Sequence, residues 1–203
     1  MLSPQNEMQR RAQAVEFAKQ YLAQNPVYLD TETTGIDAGS EIVEITIIDH
    51  LGETLLDTLV KPQKPIPAEV TKIHGITNDM VKTAPTWPVL WPTIRSILVG
   101  KLIGAYNSEF DMRMIQRTHM HYQLPWKENF QDFCIMKLFA QFIGQWDPRR
   151  RGYRYFKLEQ AGKTCKINIP NSHRSVDDTR LARAVHLCMA NYKLPPTANK
   201  DLK

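Results

Sequence analysis

The stretch from Val27 to Val60 constrains the fold more than any other part of the chain. Val27-Tyr28-Leu29 opens a short strand that runs into Asp30, and Thr34-Gly35 supplies a turn. Glu41 to Asp49 carries Ile42, Val43, Ile45, Ile47 and Ile48 and reads as a strong strand. Leu51-Gly52-Glu53 is a tight connection, and Thr54 to Val60 returns as a third strand. Strands in succession with short turns between them form a meander.

The rest of the chain alternates helix and strand. A helix is predicted over residues 5–24, where Met8, Ala12, Val15, Ala18 and Leu22 recur at spacings of three and four. Asn25-Pro26 ends it, because the residue before proline disfavours the helical region. After a proline-rich connector from Lys61 to Pro67, Ala68 to Trp91 reads as short helical turns with a cap signal at Thr77-Asn78-Asp79. Thr93 to Val99 continues as helix, Leu102 to Tyr106 is a buried strand, and Ser108 to His119 is a helix. A short strand over Phe130 to Phe133 leads to helices at Ile135 to Ile143, Lys157 to Cys165 and Ser175 to Tyr192. The order predicts an α/β fold, a mixed sheet flanked by helices.

Composition sets outer bounds. A chain of 203 residues suits one domain or at most two, and buries roughly 70% of its unfolded surface, so it needs neither disulfide nor structural metal to fold. The 26 Lys and Arg against 21 Asp and Glu give +5, which makes a polyanion a reasonable partner. No apolar run is long enough to span a membrane, and Met1 to Arg11 shows no secretory signal. Cys134, Cys165 and Cys188 are an odd count at wide spacing with no CxxC pair. That argues against a zinc site or a disulfide framework, and predicts buried, reduced thiols in a cytoplasmic protein.

Three acidic motifs carry the chemistry. In Asp30-Thr31-Glu32, residues i and i+2 of a strand point to the same face, so two carboxylates project together from the end of an apolar strand. Such a pair is either a divalent-metal site or a solvated strand end. Asn107-Ser108-Glu109-Phe110-Asp111 follows a strand directly. There Asp111 lies in the first helical turn, where the dipole favours an anion, while Ser108 and Asp111 also fit a plain capping box. In His173-Arg174-Ser175-Val176-Asp177-Asp178, Ser175 again fits an N-cap. Asp178, however, shares a helical face with Leu181, Ala182, Val185 and Met189, and an acid on an inward face needs a cation or strong hydrogen bonds. His173, one turn earlier in a loop, suits proton transfer near neutral pH.

Together the motifs resemble those of the DEDD superfamily of 3′–5′ exonucleases, in the subgroup with a catalytic histidine. The chain is similar to the proofreading-subunit type of bacterial replicative polymerases from about Val27 to Tyr192, and Ile73-His74-Gly75-Ile76-Thr77 matches a further signature. The resemblance implies a ribonuclease H-like fold and an exonuclease domain over 26–193; the N-terminal amphipathic helix at 1–25 precedes that domain and a short polar tail at 194–203 follows it. It implies that Asp30, Glu32, Asp111 and Asp178 hold two Mg²⁺ or Mn²⁺ ions, hard cations that suit oxygen ligands. His173 would take the proton of the attacking water, with release of a nucleoside 5′-monophosphate. Thr33, His74, Gly75 and Ile76, with Asn107 and Phe110, would contact the terminal nucleotide.

One run departs from the family pattern. Trp146 to Lys157 gathers Arg149, Arg150, Arg151, Arg154 and Lys157 with Trp146, Tyr153, Tyr155 and Phe156. Cations meet phosphates and aromatic rings stack on bases, so this loop either guides a single strand to the site or is a solvated loop with anchoring rings. The expected partner is nucleic acid, foremost single-stranded DNA or 3′ overhangs. RNA processing on the same fold, or a nucleic-acid-binding module without catalysis, are the alternatives. The tail shows no polymerase-docking extension. Stand-alone repair and service to a larger replication, repair or spacer-adaptation complex both remain open.

Overall fold

A computed structural model describes residues 4–195. Its centre is a five-stranded sheet in the order β3-β2-β1-β4-β5. The meander supplies β1 (Val27–Thr33), β2 (Ile42–Ile48) and β3 (Thr54–Leu59), all antiparallel neighbours. β4 (Leu102–Ala105) and β5 (Gln131–Cys134) add in parallel on the other side of β1. The fold is the mixed ribonuclease H-like sheet that the sequence predicts.

Helices cover both faces. α1 (Pro4–Leu22), α6 (Ile135–Ile143), α7 (Leu158–Thr164) and α8 (Ser175–Ala190) pack on one side around Tyr28, Ile48, Phe133, Phe139 and Val185. α4 (Trp87–Leu98) and α5 (Ser108–His121) pack on the other around Leu29, Ile45, Ile47, Ile94 and Ile103. β2 is buried along its whole length, as its isoleucine-rich run demands of a strand covered on both faces. Short α2 (Ala68–His74) and α3 (Asn78–Val81) close a smaller cluster of Val43, Ile66, Ile76 and Val81. Thr77 caps α3 as predicted, accepting from Met80 N at 3.3 Å. Among the described residues no helix is long and apolar enough to cross a membrane. The predicted tail falls mostly outside the described residues.

Three local expectations are corrected. The N-caps are Asn107 and Arg174, not Ser108 and Ser175; both serines are drawn inside the first turn and buried. Cys165 and Cys188 are bonded to each other. The end of α7 lies against α8 and brings their Cα atoms to 6.1 Å, a proximity that a separation of 23 residues hides. Cys134 is free and only half-buried. The thiol argument for a cytoplasmic location therefore falls away. Finally, the run from Trp146 to Lys157 contains a hairpin of β6 (Trp146–Asp147) and β7 (Gly152–Tyr153). Strands of two residues are too short to show a period.

The α8 face of the sheet is pinned by a buried histidine. His186 Nε2 donates to Ala18 O at 3.0 Å, which leaves Nδ1 to accept from the Tyr28 hydroxyl at 2.8 Å. The neutral ring satisfies both nitrogens with no buried charge, and burial pushes the imidazole down to about 4 from its ordinary 6.5. The unfolded chain therefore binds a proton that the folded chain refuses between those values, and stability drops as pH falls through that window. Urea unfolding of wild type and His186→Leu should show wild type losing about 3 kcal/mol relative to the variant between neutral pH and about pH 4. A pH-independent difference would contradict the neutral-imidazole assignment.

Candidate active site

The site forms where β1 ends between two helix N-termini. Asp30 and Glu32 point to the α8 face of the sheet, as strand alternation requires, and α8 brings Asp178 to them. Carboxylate oxygens of Asp30, Glu32 and Asp178 lie within 4.8 Å of one another. Asp178 is 7% exposed, and its Oδ1 is buried with no hydrogen-bond partner.

Asp111 reaches the site from the opposite face. It lies in the first turn of α5, is buried, and its Oδ1 accepts from Thr31 Oγ1 at 2.8 Å. Thr31 alternates with Asp30 and Glu32, so it faces α5 rather than α8. The structure thus converges three of the four expected ligands closely and holds the fourth beside them. Its charge still acts on Asp30.

The electrostatics record the crowding. Burial, then the charges of Asp111, Glu32 and Asp178, hold the Asp30 carboxyl well above the carboxylate range. Burial, with Asp178 and Glu44 adding, pushes Glu32 to about 8. Burial pushes Asp111 to about 7 although the Thr31 hydrogen bond opposes it, and burial raises Asp178 as well. An all-oxygen donor set, mutual repulsion and one orphaned buried oxygen together fit a hard divalent cation.

A cavity of about 580 Å³ opens beside these acids. Asp30, Asp178, Asn171 and exposed His173 line it together with Arg150, Tyr155 and Lys157. His173 stands in a left-handed conformation with φ 53°, directly before the α8 N-cap. The Arg150 guanidinium sits 5.1 Å over the Tyr155 ring and 3.6 Å from Asp147 Oδ2. Arg149 N donates to Asp147 Oδ1 at 3.0 Å, Arg151 takes a positive φ, and the Arg154 guanidinium lies 5.6 Å over Phe156. The side chains of Arg149, Arg151 and Arg154 are exposed. Tyr106 donates to Phe156 O at 2.8 Å and ties the segment after the hairpin to the end of β4.

The other sequence candidates separate by burial. Thr33 follows Glu32 in β1 and donates to Gly35 O at 2.6 Å. His74 is buried; Nδ1 accepts from Ile76 N at 3.0 Å, so Nε2 donates to Thr33 O at 3.3 Å, a brace behind the strand end. Gly75 takes φ 75° at the C-cap of α2, with open space where a side chain would stand. The Ile76 side chain, expected at the substrate, is wholly buried with Val43, Ile66 and Val81. Asn107 caps α5 with φ 79° and makes no side-chain cap bond. Half-buried Phe110 packs on the α5 side of the core. Sequence reasoning missed Glu44, Tyr106, Met136 and Asn171. Only Glu44, an acid inside an isoleucine run, left a signal.

The sequence profile of an exonuclease family, RNase T, matches residues 27–185. The chain belongs to that family. Its fold and enzyme class follow: it is a 3′–5′ exonuclease acting on nucleic acid. An uncharacterised exonuclease, CP81, of Escherichia phage 186 is 38% identical over 174 residues, covering 83% of this chain and 89% of that one. Exonuclease X, solved with 5′-overhanging duplex DNA, is 26% identical with a TM-score of 0.60, over 83% of this chain and 94% of that one. The nuclease domain of 3′hExo, a DEDDh member bound to rAMP, superposes with a TM-score of 0.66 over 85% of this chain and 95% of that one. At 18% identity that last likeness speaks for the fold alone.

The raised carboxyls make metal uptake pH-dependent. The folded, metal-free chain keeps protons that the unfolded chain gives up, so its stability declines as pH rises from the ordinary carboxylate range towards about 8. A divalent ion takes the place of those protons. The gain in Tm from millimolar Mg²⁺ or Mn²⁺ should therefore be larger at about pH 8.5 than at about pH 6. An equal gain at both pH values would contradict this reading of the acids.

Proposed function

We propose that this exonuclease removes nucleoside 5′-monophosphates from the 3′ end of DNA and prefers single-stranded ends or overhangs. The observation that carries the reading is the convergence of Asp30, Glu32 and Asp178 around an unpartnered Asp178 oxygen, beside a cavity that Arg150, Tyr155 and Lys157 also line. Asp30, Glu32, Asp111 and Asp178 would hold two Mg²⁺ or Mn²⁺ ions. When bound, such ions neutralise the carboxylates and stabilise both the attacking and the leaving oxygen.

The chain's own residues supply the rest. His173, exposed on the cavity rim, accepts the proton of the attacking water. Arg150 and Lys157 meet backbone phosphates and Tyr155 offers a ring for stacking, which suits a strand whose bases are unpaired. Arg149, Arg151 and Arg154 extend that basic approach outward. Thr33, Gly75 and Asn107 stand around the end of β1 as contacts for the terminal nucleotide, with His74 bracing Thr33 from behind. Exonuclease X was solved with 5′-overhanging duplex DNA, which supports DNA as the substrate class; the preference for unpaired ends rests on the basic and aromatic lining of the cavity.

The test is digestion of 5′-labelled single-stranded, duplex and 3′-overhang DNA and of matching RNA, with Mg²⁺, Mn²⁺ or EDTA. The expected result is a ladder shortening from the 3′ end, fastest on unpaired DNA and abolished by EDTA. Faster shortening of RNA would reassign the substrate; robust cleavage in excess EDTA would overturn the metal site. Asp30→Asn and His173→Ala should each cost about 100-fold or more in cleavage while largely sparing binding. Charge reversal at Arg149, Arg150 and Arg151 should weaken binding and flatten its salt dependence.

A further inference from the structure

The loop that carries His173 has no secondary structure of its own, yet misplacing a general base by about 1 Å costs on the order of 100-fold in rate. What fixes it lies on the neighbouring strand. Glu44 stands in the middle of β2, in register with Glu32 on β1, and is 2% exposed. Its carboxylate accepts from Arg174 Nε at 3.0 and 3.2 Å and from Arg174 Nη2, a bidentate grip. The same carboxylate accepts from Ser175 N at 2.9 Å.

Two residues along β2, Thr46 donates to Asp57 Oδ1 at 2.9 Å, so the Ser175 hydroxyl donates to Thr46 Oγ1 at 2.6 Å. Arg174 and Ser175 are thereby bound to the sheet through side chain and backbone together. They follow directly on His173, whose backbone is in the left-handed region, and they begin the helix that carries Asp178.

We propose that Glu44 is a positioning residue for catalysis. It touches no reacting atom; by holding Arg174 and the Ser175 N–H it sets where the His173 imidazole stands against Asp178 and Asp30. The proposal deepens the reading of His173 as the base and rests on it. An acid at this place needs such an explanation, since a carboxylate buried beside Asp30 and Glu32 adds repulsion to a crowded site and raises both of their pKa values.

The test is steady-state and single-turnover cleavage of a 3′-terminal single-stranded oligonucleotide by Glu44→Gln, His173→Ala and the double variant, each checked for folding by its Tm. Glu44→Gln keeps the shape but loses the charge that grips Arg174. It should lower kcat on the order of 10- to 100-fold and leave KM within about threefold. Added to His173→Ala, the same change should cost less than about threefold, because its effect passes through the histidine. A full multiplicative loss in the double variant, or wild-type kcat in folded Glu44→Gln, would overturn the proposal. If Glu44→Gln does not fold, Arg174→Ala takes its place, since the Arg174 side chain is 40% exposed and its loss leaves the Ser175 N–H bond intact. That variant should lose kcat in the same direction, and Arg174→Lys should recover part of it; no loss in Arg174→Ala would equally overturn the proposal. Wild-type activity in His173→Ala alone would instead refute the base assignment, a failure separate from that of the clamp.

Discussion

Mutual repulsion among carboxylates at the end of β1 is the constraint on which the rest of this structure depends. A central strand has sheet neighbours on both sides and helices on both faces, so side chains at its end are at best half-exposed, as Asp30 and Glu32 are. Asp30 and Glu32 are placed there by strand alternation, Asp178 is added from one face, and Asp111 presses from the other. Burial raises the carboxyls of all four, and the charges of the neighbouring acids add to it at Asp30 and Glu32. A divalent cation resolves that conflict by replacing protons with positive charge, which is also what a phosphodiester needs in order to approach.

The surroundings answer the same problem. Thr31 steadies Asp111, His74 holds the strand end through the Thr33 carbonyl, and Glu44 ties the His173 segment to β2. Each of these holds the acids or their neighbours in place, and the Arg174 guanidinium that Glu44 grips also offsets part of the charge on Glu32. A run of further cations lies on and after the β6–β7 hairpin, and Arg150 and Lys157 of that run line the cavity. The formal charge of +5 is therefore an average over an acidic centre and a basic approach.

Much of this was legible in the sequence, for physical reasons. The isoleucine run of β2 could only be a covered strand, and the period of two made Asp30 and Glu32 neighbours on one face. The apolar stripe of α8 turned Asp178 inward. What the sequence hid were relations between distant segments. The Glu44 clamp spans 130 residues to Arg174, and Glu44 looks from the sequence like a lone acid in a strand. The Cys165–Cys188 bond depends on how two helices pack, which spacing does not encode. Ile76 sits in a signature segment, yet its side chain points into the core because α2 ends at Gly75 and turns the chain back. The serines at 108 and 175 satisfy the local capping pattern, but Ser175 is bound instead by Thr46, a tertiary partner that local rules do not see.

The central claim is that the clustered acids are held together for a cation. Electron paramagnetic resonance of Mn²⁺ titrated into the metal-free protein counts bound ions directly. Wild type should bind Mn²⁺ tightly near pH 8, and Asp178→Asn, which keeps the shape of the side chain but removes its charge, should lose at least one bound ion per chain. Equal occupancy and affinity in the two proteins would contradict the account.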